Sequence, residues 1–229
     1  MSSIEKMTDE ATKSVFDKKV LTAAQQLHPY VKHRLYIAAS TGVIPKNMYT
    51  SNGIVDESIA QLYESGYNID NSALDIKLKL FKIANNVLDN LFEKEAFHKD
   101  TMSTNTLLEA ERNHLKEEFT FDEGFDFIMN DNLNDKSYSK KKNRNPLFLY
   151  DDKTNSVLNA FEMETDSSNT KTVLGDFYSW LPLNVSNIID LYAFGKLSFE
   201  EISKVKSIEE RRIQRIFDEL KKNLIHRLV

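Results

Sequence analysis

Arg211, Arg212, Gln214 and Arg215 stand within five consecutive positions of this 229-residue chain. Guanidinium groups pair bidentately with guanine edges and with phosphates, and a glutamine amide matches an adenine edge. Interleaved with them and following them are Ile213, Ile216, Phe217, Leu220 and Leu224, at the spacing of one helix face. Apolar side chains turned inward leave the arginines and Gln214 on the outer face, where they could read or grip a nucleic acid. A solvated charged face on an ordinary helical hairpin has the same pattern, and spacing alone does not separate the two.

The elements that would position these residues are legible just upstream. Ser198 followed by Glu201 is a capping box, and it opens a short helix, FEEISKV, that buries Phe199, Ile202 and Val205. A turn over 206–208 leads into the longer helix. Before them, Leu181-Pro182 precedes a stripe of Ile188, Ile189, Leu191 and Tyr192 that Gly195 closes. Short helix, tight turn, longer helix is the helix-turn-helix arrangement, whose second helix can enter a DNA major groove.

Composition sets the frame for the rest. With 6 Gly, 4 Pro and few β-branched runs, the chain is expected to be mostly α. The absence of cysteine excludes disulfides and thiolate metal sites and fits a reducing cytoplasm. No apolar run reaches the length of a membrane span, so no membrane partner is expected. A net charge of −5 argues against a general, sequence-blind DNA binder, although from Glu200 onward eight Lys and Arg face six Asp and Glu. No phosphate-binding glycine loop, His–carboxylate metal motif or nucleophile motif is present, so neither an enzyme nor a cofactor is expected. His28 and His33 lack a carboxylate-rich partner motif and read as surface or hydrogen-bonded structural residues rather than metal ligands.

Taken in order, the chain divides into four stretches. Residues 1–19 are polar and mixed in charge, an arm that frays or is partly helical. Residues 20–98 hold three helices. The first places Leu21, Leu27, Val31, Leu35, Ile37 and Ala38 inward, with Pro29 kinking it or starting another. After a loop over 41–53, the second, IVDESIAQLYESGY, is marked by Ile54, Ile59, Leu62 and Tyr63. The third, SALDIKLKLFKIANNVLDNLFEKEAF, lines the core with Leu74, Leu78, Phe81, Val87 or Leu88, and Leu91 or Phe92. Lys77, Lys79 and Lys82 occupy much of the remaining surface of its first half. With Tyr63 and Tyr67 at the adjoining loop they could hold an unpaired strand by charge and stacking, or they form a solvated lysine face.

Residues 99–176 are less regular. TNTLLEAERNHLKEEF is helical by pattern, and the acidic DEGFDFIMNDNLND that follows lacks the ligand spacing of a calcium loop. SYSKKKNRNP is a basic loop, LFLYDDKTNSVLNAFEM reads as a β-hairpin around 151–155 or a docking strand, and ETDSSNTKT reads as a flexible linker. Residues 177–229 are the helix-turn-helix stretch.

The order of residues in that last stretch resembles the fourth conserved region of bacterial RNA polymerase sigma factors, worded LP, a helix, G-x-S-x-x-E-I-A, a turn and a recognition helix. Leu181, Pro182, Gly195, Ser198, Glu201, Ile202, Ile213 and Leu224 fall on the matching positions; Ser207 replaces the turn glycine, and Glu219 an arginine common in the last helix. The three helices of 20–98 resemble the second conserved region of the extracytoplasmic-function group. Glu57, Ile59, Leu62 and Tyr63 match its polymerase-docking helix, with Ala60 for the usual glutamine and Gln61 beside it. Leu80, Ile83, Ala84 and Asn86 match the helix after it, with Asn90 where the family has aspartate. The family's basic cluster is missing, because Glu93, Lys94 and Glu95 stand there.

The resemblance implies a sigma-factor-like transcription initiation protein that binds the clamp and flap of core RNA polymerase and directs it to promoters. It implies polymerase contacts at Glu57, Ile59, Gln61, Leu62 and Tyr63. It also implies −10-like DNA contacts at Tyr67, Lys77, Lys79, Lys82 and Asn86, and −35-like contacts at Arg211, Arg212, Gln214 and Arg215. Residues 99–176 would be an acidic linker, a folded insert or a docking surface for a regulatory protein, with 119–133 as the contact. Two alternatives remain open: a stand-alone helix-turn-helix regulator, and a sigma-derived adaptor that has lost promoter binding.

Overall fold

The structure, a computed structural model, describes residues 10–65, 71–97, 119–121, 127–129, 148–151, 155–163 and 170–228. The protein is mostly helical. The elements are α1 (Glu10–Ser40), α2 (Ser51–Glu64), α3 (Ala73–Phe97), β1 (Phe119–Phe121), β2 (Phe127–Met129), α4 (Ser156–Ala160), α5 (Thr170–Trp180), α6 (Leu183–Ala193), α7 (Phe199–Lys206) and α8 (Glu210–Leu228).

Local chemistry accounts for the helix starts. Thr50 Oγ1 accepts from the Gly53 amide (3.2 Å) to begin α2, and Ser72 Oγ accepts from the Asp75 amide (3.1 Å) at the head of α3. Each satisfies an orphan donor of a first turn. The loop between α1 and α2 turns at Gly42 (φ +75°), and Val43 N–H donates to the Ala38 carbonyl (2.8 Å). That bond helps seat Ile44 in the core.

The arm over 1–19, read as frayed or partly helical, is helical from Glu10, where Phe16 and Val20 supply two buried anchors one helical turn apart. Several expectations are corrected. Pro29, expected to kink the first helix or start another, starts no second helix and lies inside α1; its ring is on the exposed side. Leu21 and Leu74, expected inside, are 60% and 43% exposed. Among the described residues of 147–163 no strand occurs where a hairpin around 151–155 or a docking strand was expected: Ser156–Ala160 is helical, with Val157 and Leu158 buried. An antiparallel pair does form in the middle stretch, between β1 and β2, with Phe119 opposite Met129 and Phe121 opposite Phe127. The helix expected over 104–119, the basic loop over 137–146 and Tyr67 lie outside the described residues, apart from Phe119, which is in β1.

The chain forms two compact units, one of residues 1–96 with 147–229 and one of residues 97–146. Residues 20–96 and 177–229 fall within the first of these units. Residues from 147 onward, in the stretch expected to be a linker, insert or docking surface, contribute Tyr150, Val157, Leu158 and Phe161 to its interior. One apolar cluster joins Leu27, Val31, Leu62, Leu80, Phe81 and Leu88 of α1–α3 to Ile188 and Leu191 of α6, Ile202 and Val205 of α7, and Ile213 of α8. A second gathers Ile37, Tyr150, Phe161, Phe177, Ile189, Phe217 and Leu224. Two glycines permit the closest approaches. A Cβ on Gly175 would lie 1.7 Å from the Phe148 carbonyl oxygen, and one on Gly195 would press on the Leu191 carbonyl and the Phe81 ring.

Candidate nucleic-acid interface

Local bonds shape the short helix α7, the turn after it and the longer helix α8. Ser198 Oγ accepts from the Glu201 amide (3.2 Å) while Glu201 Oε2 accepts from the Ser198 amide (2.8 Å), which starts α7. Ile202 and Val205 hold α7 down. Ser207 takes the left-handed conformation (φ 55°, ψ 41°), one that costs an L-residue and suits glycine. Ser203 Oγ donates to the Ile208 carbonyl (2.6 Å), satisfying an acceptor in the turn. Beyond it α8 buries Ile213, Phe217, Leu220 and Leu224.

Arg211, Arg212 and Arg215 are exposed on the opposite side of α8. Gln214 is half-buried, and its Nε2 donates to Glu210 Oε1 (3.1 Å). Three guanidinium groups thus face solvent from a helix whose other side is locked in the core.

The residues expected to touch an unpaired strand do not act as one group. On α3, Lys79, Lys82 and Asn86 share a face by helical spacing, and Lys82 and Asn86 are exposed while Lys79 is half-buried. Lys77 lies on another side, where its Nζ meets Glu201 Oε1 at 3.2 Å, both side chains 17% exposed. The carboxylate that caps α7 therefore also binds α3. Nearby, Lys206 Nζ donates to Asn85 Oδ1 (3.1 Å) and lies 3.8 Å from Asp89. Burial lowers the Lys206 pKa from its usual value, with Asp89 opposing.

On α2 the expected docking residues also divide. Glu57 is exposed and accepts from Gln61 Nε2 (3.1 Å). Ile59 packs half-buried against the core. Leu62 is 1% exposed, so its apolar side chain is committed inside and gives a partner no direct contact. Tyr63 leans edge-on against Phe16 and donates to Asp17 Oδ1 (2.5 Å).

Sequence reasoning missed a buried polar centre between α1 and α6. Arg34 Nη1 donates to Ser186 Oγ (3.0 Å) and Asp190 Oδ2 (3.1 Å). Tyr178 donates to Asp190 Oδ1 (2.9 Å). His33 Nδ1 is 3.0 Å from the same oxygen but not aligned for a hydrogen bond, and its Nε2 meets the Tyr150 hydroxyl at 2.9 Å. Beside this centre, Tyr30 donates to Asn187 Oδ1 (2.8 Å), and Asn187 Nδ2 donates to Asn85 Oδ1 (2.6 Å). Burial alone would push the Asp190 carboxyl up, but His33, Arg34 and the Tyr178 hydroxyl outweigh it and hold it below the ordinary value. Burial, reinforced by Asp190, drives the Tyr178 phenol well above its own.

Carboxylate, imidazole and hydroxyl in a row have the connectivity of a proton relay. Tyr150 is 2% exposed, however, and stacks on Tyr178; the row is closed to solvent and serves as structure. The reading of His33 as a hydrogen-bonded structural residue agrees with this. His28 bonds Asn52 and Ser51. Among the described residues no cluster of potential metal ligands occurs, and no helix is long and apolar enough to cross a membrane. A charged residue inside an apolar run, Arg34 in RLYIAA and Asp190 in IIDLYA, was the available signal for the buried centre.

No family model, curated protein or solved structure matches the chain.

Proposed function

We propose that the protein is a sigma-factor-like transcription initiation protein that binds core RNA polymerase and directs it to promoter DNA. The observation that carries this reading is the exposed trio Arg211, Arg212 and Arg215 on α8, presented after a capped short helix and a left-handed turn residue. Those groups can reach phosphates and guanine edges without moving the core. Lys82 and Asn86 are available on α3 for a second nucleic-acid contact, and Glu57 with Gln61 offers a polar edge to polymerase on α2.

The test is co-elution of the purified full-length protein with core RNA polymerase. Stoichiometric association, followed by transcription from a specific start site, is the expected result. A folded protein that does not associate overturns the reading.

A stand-alone regulator or adaptor is the second reading. It is favoured by the ties that occupy the surfaces a sigma factor would use: Lys77 is paired with Glu201, and Leu62 is inside. A symmetric DNA site bound by a dimer without polymerase would select the regulator. Failure to bind either DNA or polymerase would select the adaptor.

A further inference from the structure

A groove runs between α1 and the start of α3, with a volume of about 500 Å³. Val15, Ala23, Ala73 and Leu74 give its apolar surface, and Lys18, Lys19 and Lys77 its rim. Val15 is 53% exposed and Leu74 43%. Water-facing side chains of this size, gathered round one concavity, mark a contact site more often than the same residues scattered.

Charge and shape narrow the occupant. Among the described lining residues three are lysines and none is a carboxylate, in a chain whose net charge is −5. Two of the lysines are held in place. Lys19 Nζ donates to the Asn71 carbonyl (3.1 Å), and Lys77 is bound by Glu201. Lys18 is exposed. From Val15 to Gln26 the groove follows about three turns of α1, or about 16 Å, the length over which a docked helix places anchors at i, i+3 or i+4, and i+7. No aromatic ring lines it among the described residues, so it lacks the stacking platform that an unpaired nucleic-acid strand uses.

We infer that this groove docks an amphipathic helix of a partner protein, with an apolar face against Val15 and Leu74 and acidic flanks beside Lys18 and Lys19. The site is independent of the DNA-facing arginines on α8. It stands whether or not the promoter-binding reading does.

Peptide-display selection against the full-length protein tests this, with the Val15→Glu/Leu74→Glu double variant as counter-target. Both positions are exposed, and an unchanged melting temperature checks the fold. Enriched peptides should carry apolar residues at helical spacing with Asp or Glu beside them. They should lose at least about tenfold in affinity on the double variant, and Lys18→Glu should weaken them several-fold. Enrichment of peptides without acidic flanks, undiminished binding to the double variant, or no enrichment overturns the inference. So does a single-stranded oligonucleotide that binds the groove and is lost with Leu74→Glu. A concentration-dependent dimer that Leu74→Glu dissolves would replace the partner with a second copy of the chain and would equally overturn it.

Discussion

Asp190 is a carboxylate with no route to water, and Arg34 and Tyr178 satisfy it together. Removing one partner of such a pair leaves a buried charge uncompensated, at a cost of about 3–5 kcal/mol. Asp190→Asn should therefore lower stability by about that amount, read as a shift in the urea midpoint. The pH dependence has a definite sign. The folded carboxyl titrates below the unfolded one, so its contribution is complete above about pH 4 and drains away as acid protonates the folded state. The stability gap between the wild type and Asp190→Asn should narrow in strong acid and stay level near neutrality. The same scale explains what the sequence could not reveal. Arg34 and Asp190 are 156 positions apart, and periodicity reports which way a side chain faces on its own helix, not what awaits it across a core.

Helix by helix, prediction followed local chemistry closely where that chemistry is strong. Ser198 and Glu201 were readable as a cap because the bonds close within four residues. The outward placement of Arg211, Arg212 and Arg215 followed from their apolar neighbours. Leu21 and Leu74 defeated the same reasoning, since a single apolar residue fits either side of a helix and exposure is decided by the neighbour that packs there. Around 151–155 the turn residues suggested a hairpin or a docking strand, but Val157 and Leu158 of a short helix, with Phe161 just after it, are buried in the core. Two predictions belong to these elements. Ser207→Gly relieves the left-handed turn and should stabilise by about 0.5–1 kcal/mol, after the entropy cost of glycine; thermal unfolding reads it. Replacing Arg211, Arg212 and Arg215 together by Ala should leave the melting temperature within about a degree. On the promoter-binding reading it should also weaken specific DNA binding at least about tenfold, measured by anisotropy at fixed salt.

For the molecule as a whole, the sequence supported a mostly helical chain, and the apolar packing ties residues of 20–98 to residues of 177–229. Ile188, Leu191, Ile202 and Ile213 share a cluster with Leu27, Val31, Leu80 and Phe81, so α1–α3 and α6–α8 stand or fall together. A composition shift can mark where a segment is polar, yet cannot tell whether the chain on its far side returns to the first core. Because residues 97–146 form their own unit, replacing them with a flexible linker of similar length should leave the unfolding transition of the remainder single and nearly unmoved, followed by circular dichroism.

The pairing of Arg34 with Asp190 also imposes a timetable. During synthesis at about 5–20 residues per second, the first three helices emerge early and must wait roughly 5–20 seconds for α6 to leave the ribosome. Throughout that interval an arginine meant for the interior has no carboxylate to meet, and the apolar faces of Leu80 and Phe81 have no α6 or α7 to cover them. Slowing translation between residues 97 and 190 would lengthen that exposure without changing a single native contact.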